Sequence, residues 1–489
     1  MTLPEITGPT IAVVANPNNP EAKLLLVMGH NADELRAAAA TLSLGSTALT
    51  GQAQVVGAPT IPTRKAYDAP RWVPIDRPVR FGELVQPTDL QGNGLVPGLL
   101  TLNFRTAPDL FVWGNAGVPL KVRYRYPAGT WINFPESRLD VSINNSYLRS
   151  LPLTKTGVVQ QVKDIISPDF VLNEQTVRVP PYYVFGQNQL QFYYDLRPVK
   201  IGECQDVLPN NIQESIDPDS TIDLSKTDRF ASLPNLSFFA NSGYPFTRMA
   251  DLSDTAIVLP DQLTGQDIET YLDLMGMMGD STGFPVVRST VVTPDAVSQA
   301  ADKDLIVLGS IARQPLITKW ANNGKLQVEG GHLRVGMTSP LDRVYTVLDP
   351  NAAQERERVD NLLISQGDNL AAMIGLQSPL NPAHSAVMIT GSSPDKLLTV
   401  ISAFRNRDLN PSIQGDLMIA GAGRVTSFRI GNEYSVGHLN PLTKLRWWLG
   451  NSPLILILFT LIGVLIVALV AYWLLRRLAM GRLQSRSVP

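Results

Sequence analysis

Near its C-terminus the chain carries 23 consecutive residues without a charge, from Pro453 to Leu475. At about 1.5 Å rise per residue, a helix of this length crosses a hydrocarbon core of roughly 30 Å. Backbone polar groups in lipid must be satisfied within the segment, so a single span is helical. The sequence therefore predicts a transmembrane helix over residues 452–475.

The charges on either side of this run predict its orientation. The tail at 476–489 has no acid and four basic residues, which are Arg476, Arg477, Arg482 and Arg486. The twelve residues before Pro453 carry only Lys444 and Arg446. By the positive-inside rule the tail lies in the cytoplasm, and the bulk of the chain lies across the membrane, which in a bacterium is the periplasm.

Aromatic residues mark both ends of the predicted span. Trp447 and Trp448 precede it and Tyr472 and Trp473 end it, where aromatic rings favour the membrane interface. Residues 440–450 mix basic and aromatic side chains, which suits an amphipathic helix on the membrane surface, so 433–451 is predicted to be an interface helix with its linker. A plain linker is the alternative.

Composition excludes several classes of protein. The 489 residues carry 41 basic and 43 acidic side chains, so no overall positive field attracts nucleic acid. Cys204 is the only cysteine, which excludes an internal disulfide framework and a site built from several thiolates. About 440 residues precede the membrane segment, enough for two to four domains. The first residues lack the basic and apolar regions of a secretory signal, so we expect export to depend on sequence that precedes this chain.

Hydrophobic patterning divides the chain into domains. Residues 1–57 have two apolar strands and a helix capped by Asn31, which fits the closing portion of an α/β domain. A proline-spaced linker follows at 58–71. Residues 72–205 predict an antiparallel β-sandwich, because strands such as 121–126 alternate apolar and polar residues and Asn144-Asn145 favours a hairpin.

The rest of the soluble part returns to an α/β pattern. A polar connector is expected at 206–245, and an α/β domain at 246–432. Its short apolar strands suit a covered, mostly parallel sheet, and lie at 256–259, 285–287, 304–308 and 385–389. Helices are predicted to begin near Thr264, with Asp267 completing a capping box, and near Ser393.

No cofactor or catalytic motif stands out. The glycines at 92–98 do not fit the dinucleotide fingerprint, and Asn323-Gly324-Lys325 lacks the other residues of a P-loop. The four histidines have no partner at metal-ligand spacing; they are His30, His332, His384 and His438. We therefore expect no metal, no cofactor and no catalytic residue in this chain.

Aromatic residues are concentrated in the predicted sandwich, which holds 15 of the chain's 35 between positions 101 and 200. Aromatic rings offer the flat apolar faces on which sugar rings pack. The candidates for glycan contact are Trp113 and Trp131, in turn-like contexts, and Tyr124 and Tyr126, on one face of a strand. Burial in the core is the alternative for each of them.

Several long segments resemble one family, the B subunit of bacterial cellulose synthase (BcsB). They are residues 65–74 (KAYDAPRWVP), 220–226 (STIDLSK), 239–253 (FANSGYPFTRMADLS) and 434–439 (YSVGHL). The resemblance implies a jelly-roll carbohydrate-binding module between flavodoxin-like α/β domains, then an amphipathic helix and one transmembrane anchor. The family's signal sequence, first carbohydrate module and most of its first α/β domain have no counterpart here.

The resemblance also implies a function. The chain would be non-catalytic, and its partners would be the cellulose synthase catalytic subunit, the nascent cellulose chain and inner-membrane lipid. Cyclic di-GMP would act on the catalytic subunit, while self-association or periplasmic export partners are left open. The alternatives are a stand-alone membrane-anchored periplasmic glycan-binding protein and, with no motif to support it, a periplasmic hydrolase.

Overall fold

The computed structural model describes residues 6–45, 47–111, 117–154, 170–201, 204–205, 209, 211–322, 325–336, 350–451 and 453–484. The chain divides into two units, which we describe separately. The first comprises Met1–Thr227 and Ala231–Val436, and the second comprises Asp228–Phe230 and Gly437–Pro489.

The N-terminal part of the first unit is a small antiparallel sheet with one helix. Its elements are β1 (Thr10–Asn16), β2 (Asn19–Met28), α1 (Ala32–Leu44) and β3 (Ala53–Val55), with strand order β2-β1-β3. The side chain of Asn31 caps α1 by accepting hydrogen bonds from the amides of Asp33 and Glu34, as the sequence predicts.

A two-sheet β-sandwich follows. The strands of this region are β4 (Val79–Arg80), β5 (Gln91–Asn93), β6 (Leu100–Arg105), β7 (Leu110–Phe111), β8 (Val118–Pro127), β9 (Arg138–Ile143), β10 (Ser146–Pro152), β11 (Phe170–Val179), β12 (Gln187–Asp195), β13 (Lys200–Ile201), β14 (Cys204–Gln205), β15 (Gln213–Ile216) and β16 (Thr221–Ile222). β7, β13 and β14 belong to neither sheet of the sandwich. One sheet has the order β10-β9-β12-β6. The other has the order β4-β16-β8-β15-β5, and β11 also pairs with β8.

The alternation of β8 builds the sandwich core. Val122, Tyr124 and Tyr126 are fully buried, whereas Lys121 and Arg125 point outwards. The predicted hairpin between β9 and β10 is present: Asn144 and Asn145 have φ of 49° and 63°, the left-handed values that a two-residue hairpin turn requires.

The sandwich extends further along the chain than the sequence predicts. β15 and β16 lie in the segment expected to be a connector, yet both pair with β8. They have only 4 and 2 residues, too few to show an alternating pattern. The local sequence pattern does not identify β15 and β16 as strands; their pairing with β8, which is distant in sequence, does.

The α/β domain has helices on both faces of a seven-stranded sheet. Its elements are β17 (Asp228–Leu233), α2 (Leu236–Ser242), β18 (Thr255–Val258), α3 (Gly265–Thr282), β19 (Thr290–Val292), β20 (Asp304–Leu308), α4 (Pro315–Asn322), β21 (Leu326–Glu329), β22 (His332–Val335), α5 (Pro350–Gln366), β23 (Ala371–Gln377), β24 (Ser385–Gly391), α6 (Asp395–Arg405), β25 (Leu417–Gly421) and β26 (Arg424–Phe428). The predicted capping box of Thr264 and Asp267 begins α3.

The seven-stranded sheet is only half parallel. In the order β19-β18-β20-β24-β23-β25-β26, the first three pairs are parallel and the last three are antiparallel. The expectation of a mostly parallel sheet therefore needs correction. Residues 285–287 form no strand, and the neighbouring strand is β19 at Thr290–Val292. β23 is a buried apolar run, and such a run reads the same in a parallel and in an antiparallel strand. Its direction in the sheet depends on the strands beside it.

The second unit holds two helices. Near its start lies the end of β27 (Tyr434–His438), followed by α7 (Pro441–Asn451) and α8 (Pro453–Gln484). Within α8, Phe459–Leu478 is long and apolar enough to cross a membrane. The helix runs nine residues past the predicted end of the span because leucine, alanine and arginine all favour helix.

Candidate functional site

The structure places two of the predicted glycan-contact residues in the core. Tyr124 and Tyr126 are fully buried, with ring centroids 5.8 Å apart. Their hydroxyls donate to the carbonyl oxygens of Pro152 and Thr154, at 2.8 and 3.0 Å. Burial raises the pKa of Tyr124 above its usual value. Because these rings offer no face to solvent, we correct the expectation that they contact glycan.

Trp131 is also a core residue. Only 7% of it is exposed, and it belongs to the sandwich core. A Cβ atom at Gly129 would lie 2.2 Å from the indole nitrogen of Trp131, so the glycine lets the ring fold back over its own turn. The turn that suggested exposure therefore accommodates a buried ring. The fourth candidate, Trp113, lies outside the described residues.

Two linker residues, Tyr67 and Arg71, fix the sandwich to the α/β domain. The Tyr67 hydroxyl donates to Asp109 of the sandwich at 2.6 Å, while the Tyr67 amide donates to the Arg248 carbonyl oxygen at 2.7 Å. The Arg71 guanidinium pairs with Asp280 on α3 at 2.8 Å. The segment predicted to be a linker therefore holds the two domains together.

A cavity of about 700 Å³ lies at this junction, and we call it the junction cleft. The sandwich contributes Tyr182, Phe185 and Gln187, and α2 contributes Phe238 and Asn241. Tyr182 is 73% exposed and Phe185 is 58% exposed. Large exposed rings beside side-chain amides combine apolar faces with hydrogen-bonding groups, the combination that a sugar ring requires.

A second cavity of about 670 Å³ adjoins the junction cleft and shares Arg105, Phe185 and Gln187 with it. Its wall is rich in amide side chains, so we call it the amide cavity; they are Asn103, Asn144, Asn145, Gln187, Asn188 and Gln189. The exposed amides of Asn103, Asn145 and Gln187 can donate to and accept from a hydroxyl, whereas Asn188 is buried and bonded within the protein. The wall therefore suits a neutral ligand with many hydroxyl groups.

The asparagines also hold the exposed rings in place. Asn144 donates from Nδ2 to the Tyr183 carbonyl oxygen at 2.8 Å, and Asn188 Oδ1 accepts from the Phe185 amide at 3.0 Å. The short 3-10 turn Pro181–Tyr183 begins with a proline, which restricts its backbone further. Tyr182 and Phe185 are thus presented on a fixed loop, which lowers the entropic cost of binding.

The charges at the junction are paired. Asp280 accepts from Arg71 at 2.8 Å and from Arg105 at 3.4 Å. Burial lowers the pKa of Arg105, and the nearby Asp280 carboxylate opposes this shift. The two guanidinium groups share one carboxylate, so this cluster keeps a single net positive charge at the edge of the cleft.

The groups lining the junction cleft suit binding better than catalysis. The hydroxyls of Ser242 and Ser281 donate to the carbonyl oxygens of Phe238 and Ser242, at 2.7 and 2.9 Å. Neither hydroxyl is paired with a general base in these contacts. Among the residues that the structure describes, no cluster of histidine, cysteine or carboxylate side chains is arranged to hold a metal.

The carboxyl end of the parallel strands is filled by an internal ion pair. Arg313, after β20, contacts Asp267 on α3 at 3.0 Å and donates to the Gln262 carbonyl oxygen. This edge is where open α/β sheets usually bind phosphates or cofactors. Here an arginine and a carboxylate of the protein occupy it.

Sequence reasoning missed Tyr182 and Phe185. The signal that would have found them is the segment Pro180–Gly186 (PPYYVFG), which places three aromatic rings between prolines and a glycine, separating two alternating strands. A proline-rich turn cannot continue a strand, so its aromatic side chains need not point into the core.

The predicted interface residues lie on the helices of the second unit. The Trp447 ring packs edge-on against Phe230 at 4.8 Å, and Trp448 is exposed. On α8, Tyr472 and Trp473 are exposed, and the Arg477 guanidinium lies 5.0 Å from the Trp473 ring. Arg476, which precedes Arg477, is exposed as well. This arrangement matches a polar helix end near a membrane surface.

The sandwich and the α/β domain packed beside it define a class of multidomain proteins that combine an antiparallel β-sandwich with an α/β domain. Three family models match the chain in order: "Cellulose synthase BcsB, first FD domain" over residues 1–56, the second CBM domain over 78–221 and the second FD domain over 229–389. The chain belongs to the BcsB family of cellulose synthase proteins.

Comparisons over nearly all of this chain agree with the family models. The chain is 37% identical to a cyclic di-GMP-binding protein of Komagataeibacter xylinus, over 98% of this chain and 60% of that protein. It is 35% identical to a cyclic di-GMP-binding protein of Pseudomonas fluorescens, over 97% of this chain and 64% of that protein. It is 36% identical to cellulose synthase 2 of Novacetimonas hansenii, over 98% of this chain and 30% of that protein. The chain thus spans less than two thirds of these relatives.

Proposed function

We propose that this chain is a non-catalytic, membrane-anchored subunit of a bacterial cellulose synthase complex, and that its junction cleft holds the nascent β-1,4-glucan. The observation that carries this proposal is the pair of exposed rings, Tyr182 and Phe185, on a fixed loop beside the amide cavity. Aromatic faces pack against sugar rings, and amides exchange hydrogen bonds with hydroxyls.

The proposal includes a location and a partner. Helix α8 crosses the inner membrane with its basic end in the cytoplasm, so the sandwich and the α/β domain lie in the periplasm. By docking on the catalytic subunit, residues 450–476 help to form the path by which glucan leaves the membrane. Cyclic di-GMP acts on that partner, and this chain needs no cofactor of its own. The matches to cellulose synthase proteins support this assignment.

Photo-crosslinking during synthesis tests the proposed glucan contact. A photoreactive aromatic residue replaces Tyr182, and the synthase complex elongates glucan from a radiolabelled nucleotide-sugar donor in proteoliposomes. We expect the label to attach to this chain only while glucan is being made. The matched control carries the same residue at Leu99, which is exposed on the sandwich but lines neither cavity. Equal labelling at both positions would refute a specific contact at the cleft.

Co-purification separates this proposal from the alternative of a stand-alone glycan-binding protein. The full chain, solubilised in mild detergent, is expected to retain the catalytic subunit. Removing residues 58–432 while keeping the C-terminal helices should preserve that association. A chain that binds soluble cello-oligosaccharide but never retains the catalytic subunit would favour the stand-alone protein.

A further inference from the structure

Two tyrosines stand on the outer face of the four-stranded sheet, away from the core. Tyr147 on β10 pairs with Ser142 of β9, and Tyr193 on β12 pairs with Asp140 of β9. They are 62% and 37% exposed. One strand separates them and their pairing positions differ by two residues, so their backbones lie about 12 Å apart on the diagonal. This separation is close to the length of a disaccharide in an extended β-linked glucan.

A ladder of amide side chains crosses the same face. Gln191 donates to Asn145 at 2.8 Å and to Gln189 at 2.9 Å, and Gln189 donates to Asn103 at 3.1 Å. Gln191 is buried, and its amide is engaged by Asn145 and Gln189, so it fixes the orientation of both neighbours. The donors and acceptors open to solvent are those of Asn103, Asn145 and Gln189. Asn103, Asn145 and Gln189 also line the amide cavity. The outer face is therefore continuous with the proposed glucan site.

The charges on this face cancel locally. Arg138 contacts Asp140 at 3.3 Å and Asp195 at 2.9 Å, and Arg197 contacts Asp195 at 2.8 Å. A surface whose cations and carboxylates are already paired attracts neither polyanions nor polycations strongly. Its charge complements a neutral polymer with many hydroxyl groups.

We propose that this tyrosine–amide face, defined by Tyr147, Tyr193 and the ladder from Asn145 to Asn103, binds the flat side of a neutral β-linked glucan and leads it into the junction cleft. The inference rests on the proposed function for its ligand, but it uses different residues. The two tyrosines support sugar rings of the chain, and the ladder supplies hydrogen bonds between them.

Titration with two lengths of oligosaccharide tests the tyrosine–amide face. The full chain in detergent is titrated with cellotriose, which we expect to fill the cleft alone, and with cellohexaose, which we expect to extend from the cleft onto the face. In the double variant Tyr147→Ser/Tyr193→Ser, we expect affinity for cellohexaose to fall about tenfold, since each ring contributes a modest share. Affinity for cellotriose should stay unchanged.

Matched variants make each outcome decisive. Phe170→Ser removes an exposed ring of the other sheet and should leave both affinities unchanged. Tyr147→Trp/Tyr193→Trp keeps aromatic faces and should retain the binding of cellohexaose. The cleft variant for comparison is Tyr182→Ala/Phe185→Ala. If cellohexaose binds the serine double variant as tightly as the unchanged protein while the cleft variant loses binding, the face proposal is overturned and the cleft proposal stands. If cleft and face variants both bind normally, both proposals fail.

Discussion

The indole nitrogen of Trp72 donates a hydrogen bond to the carbonyl oxygen of Ser281 at 3.1 Å, joining the first residue after the linker to the end of α3. Trp72 is buried in a small cluster with Ala69, Ala107 and Ala250, whose members come from the linker, the sandwich and the α/β domain. Both residues line the junction cleft, so this contact forms part of its wall. The relative position of the two domains, and hence the cleft, depends on this tryptophan.

Replacing Trp72 should therefore destabilise the junction. Trp72→Ala removes a buried ring and is expected to cost about 3–5 kcal/mol. Trp72→Phe keeps most of the packing and leaves the Ser281 oxygen without its donor, at a cost of about 1 kcal/mol or more. Thermal unfolding of the solubilised full chain measures both. Trp448→Ala, at an exposed position, is the control, and equal effects of Trp72→Ala and Trp448→Ala would contradict this account.

Asn144 should matter more than its neighbour Asn145 for stability. Both have positive φ, but Asn144 also donates to Tyr183 and accepts from the Gln189 amide, each at 2.8 Å. Asn144→Gly keeps the turn but loses these bonds, so we expect about 1–3 kcal/mol of destabilisation and a looser Tyr182 loop. Asn145→Gly should cost less than that. Chemical denaturation measures the loss of stability, and limited proteolysis measures the loosening of the Tyr182 loop. Equal losses of stability in both variants would argue against the role of Asn144.

Glu214 should make stability depend on pH. It is 2% exposed, and neither carboxyl oxygen has a hydrogen-bond partner among the described residues. Burial raises its pKa to about 7 from 4.5. Between pH 4.5 and about 7 the folded protein therefore keeps a proton on Glu214 that the unfolded chain has lost. The stability that the protonated carboxyl group contributes is complete below pH 4.5 and is lost as pH rises through 7.

The variant Glu214→Gln removes this titration. At pH 8 we expect it to be more stable than the unchanged protein by up to about 3 kcal/mol, and at pH 4.5 the difference should largely vanish. Thermal unfolding across this pH range measures the effect. Glu136→Gln, on an exposed turn of the sandwich, is the control. A variant that gains no stability at high pH would show that the carboxyl group is solvated.

The orientation of α8 is testable with the chain's single cysteine removed. In a Cys204→Ser background, Leu442→Cys lies before the helix and Gln484→Cys lies at its end. In spheroplasts of cells that express the synthase complex, an impermeant maleimide should label position 442 and spare position 484 until the membrane is broken. The opposite pattern would reverse the orientation that the arginines predict.

The sequence predicted features that depend on local chemistry. The Asn31 cap, the Thr264 capping box and the Asn144 hairpin each rest on a side chain bonding to nearby backbone or on a backbone φ that few residues adopt. Features decided by distant contacts were missed. β15 is a strand because β8 lies beside it, and β23 runs antiparallel because of its partners β24 and β25.

For the candidate site as well, local sequence patterns predicted some features, and contacts between distant segments determined the others. Alternation along β8 correctly placed Tyr124 and Tyr126 on one face, but it could not say that both rings are enclosed by the opposite sheet. The exposed rings lie in a loop whose surroundings come from α2, more than 50 residues further along the chain. A cleft assembled from two domains leaves no periodic signal in either one.

The most direct test of the central claim, that the junction cleft binds glucan, is the affinity of the solubilised full chain for cellotriose by calorimetry. Tyr182→Ala/Phe185→Ala is expected to weaken binding about tenfold, because two stacking faces are lost, while Leu99→Ala leaves it unchanged. Equal affinity in the unchanged protein and the double alanine variant would contradict the account.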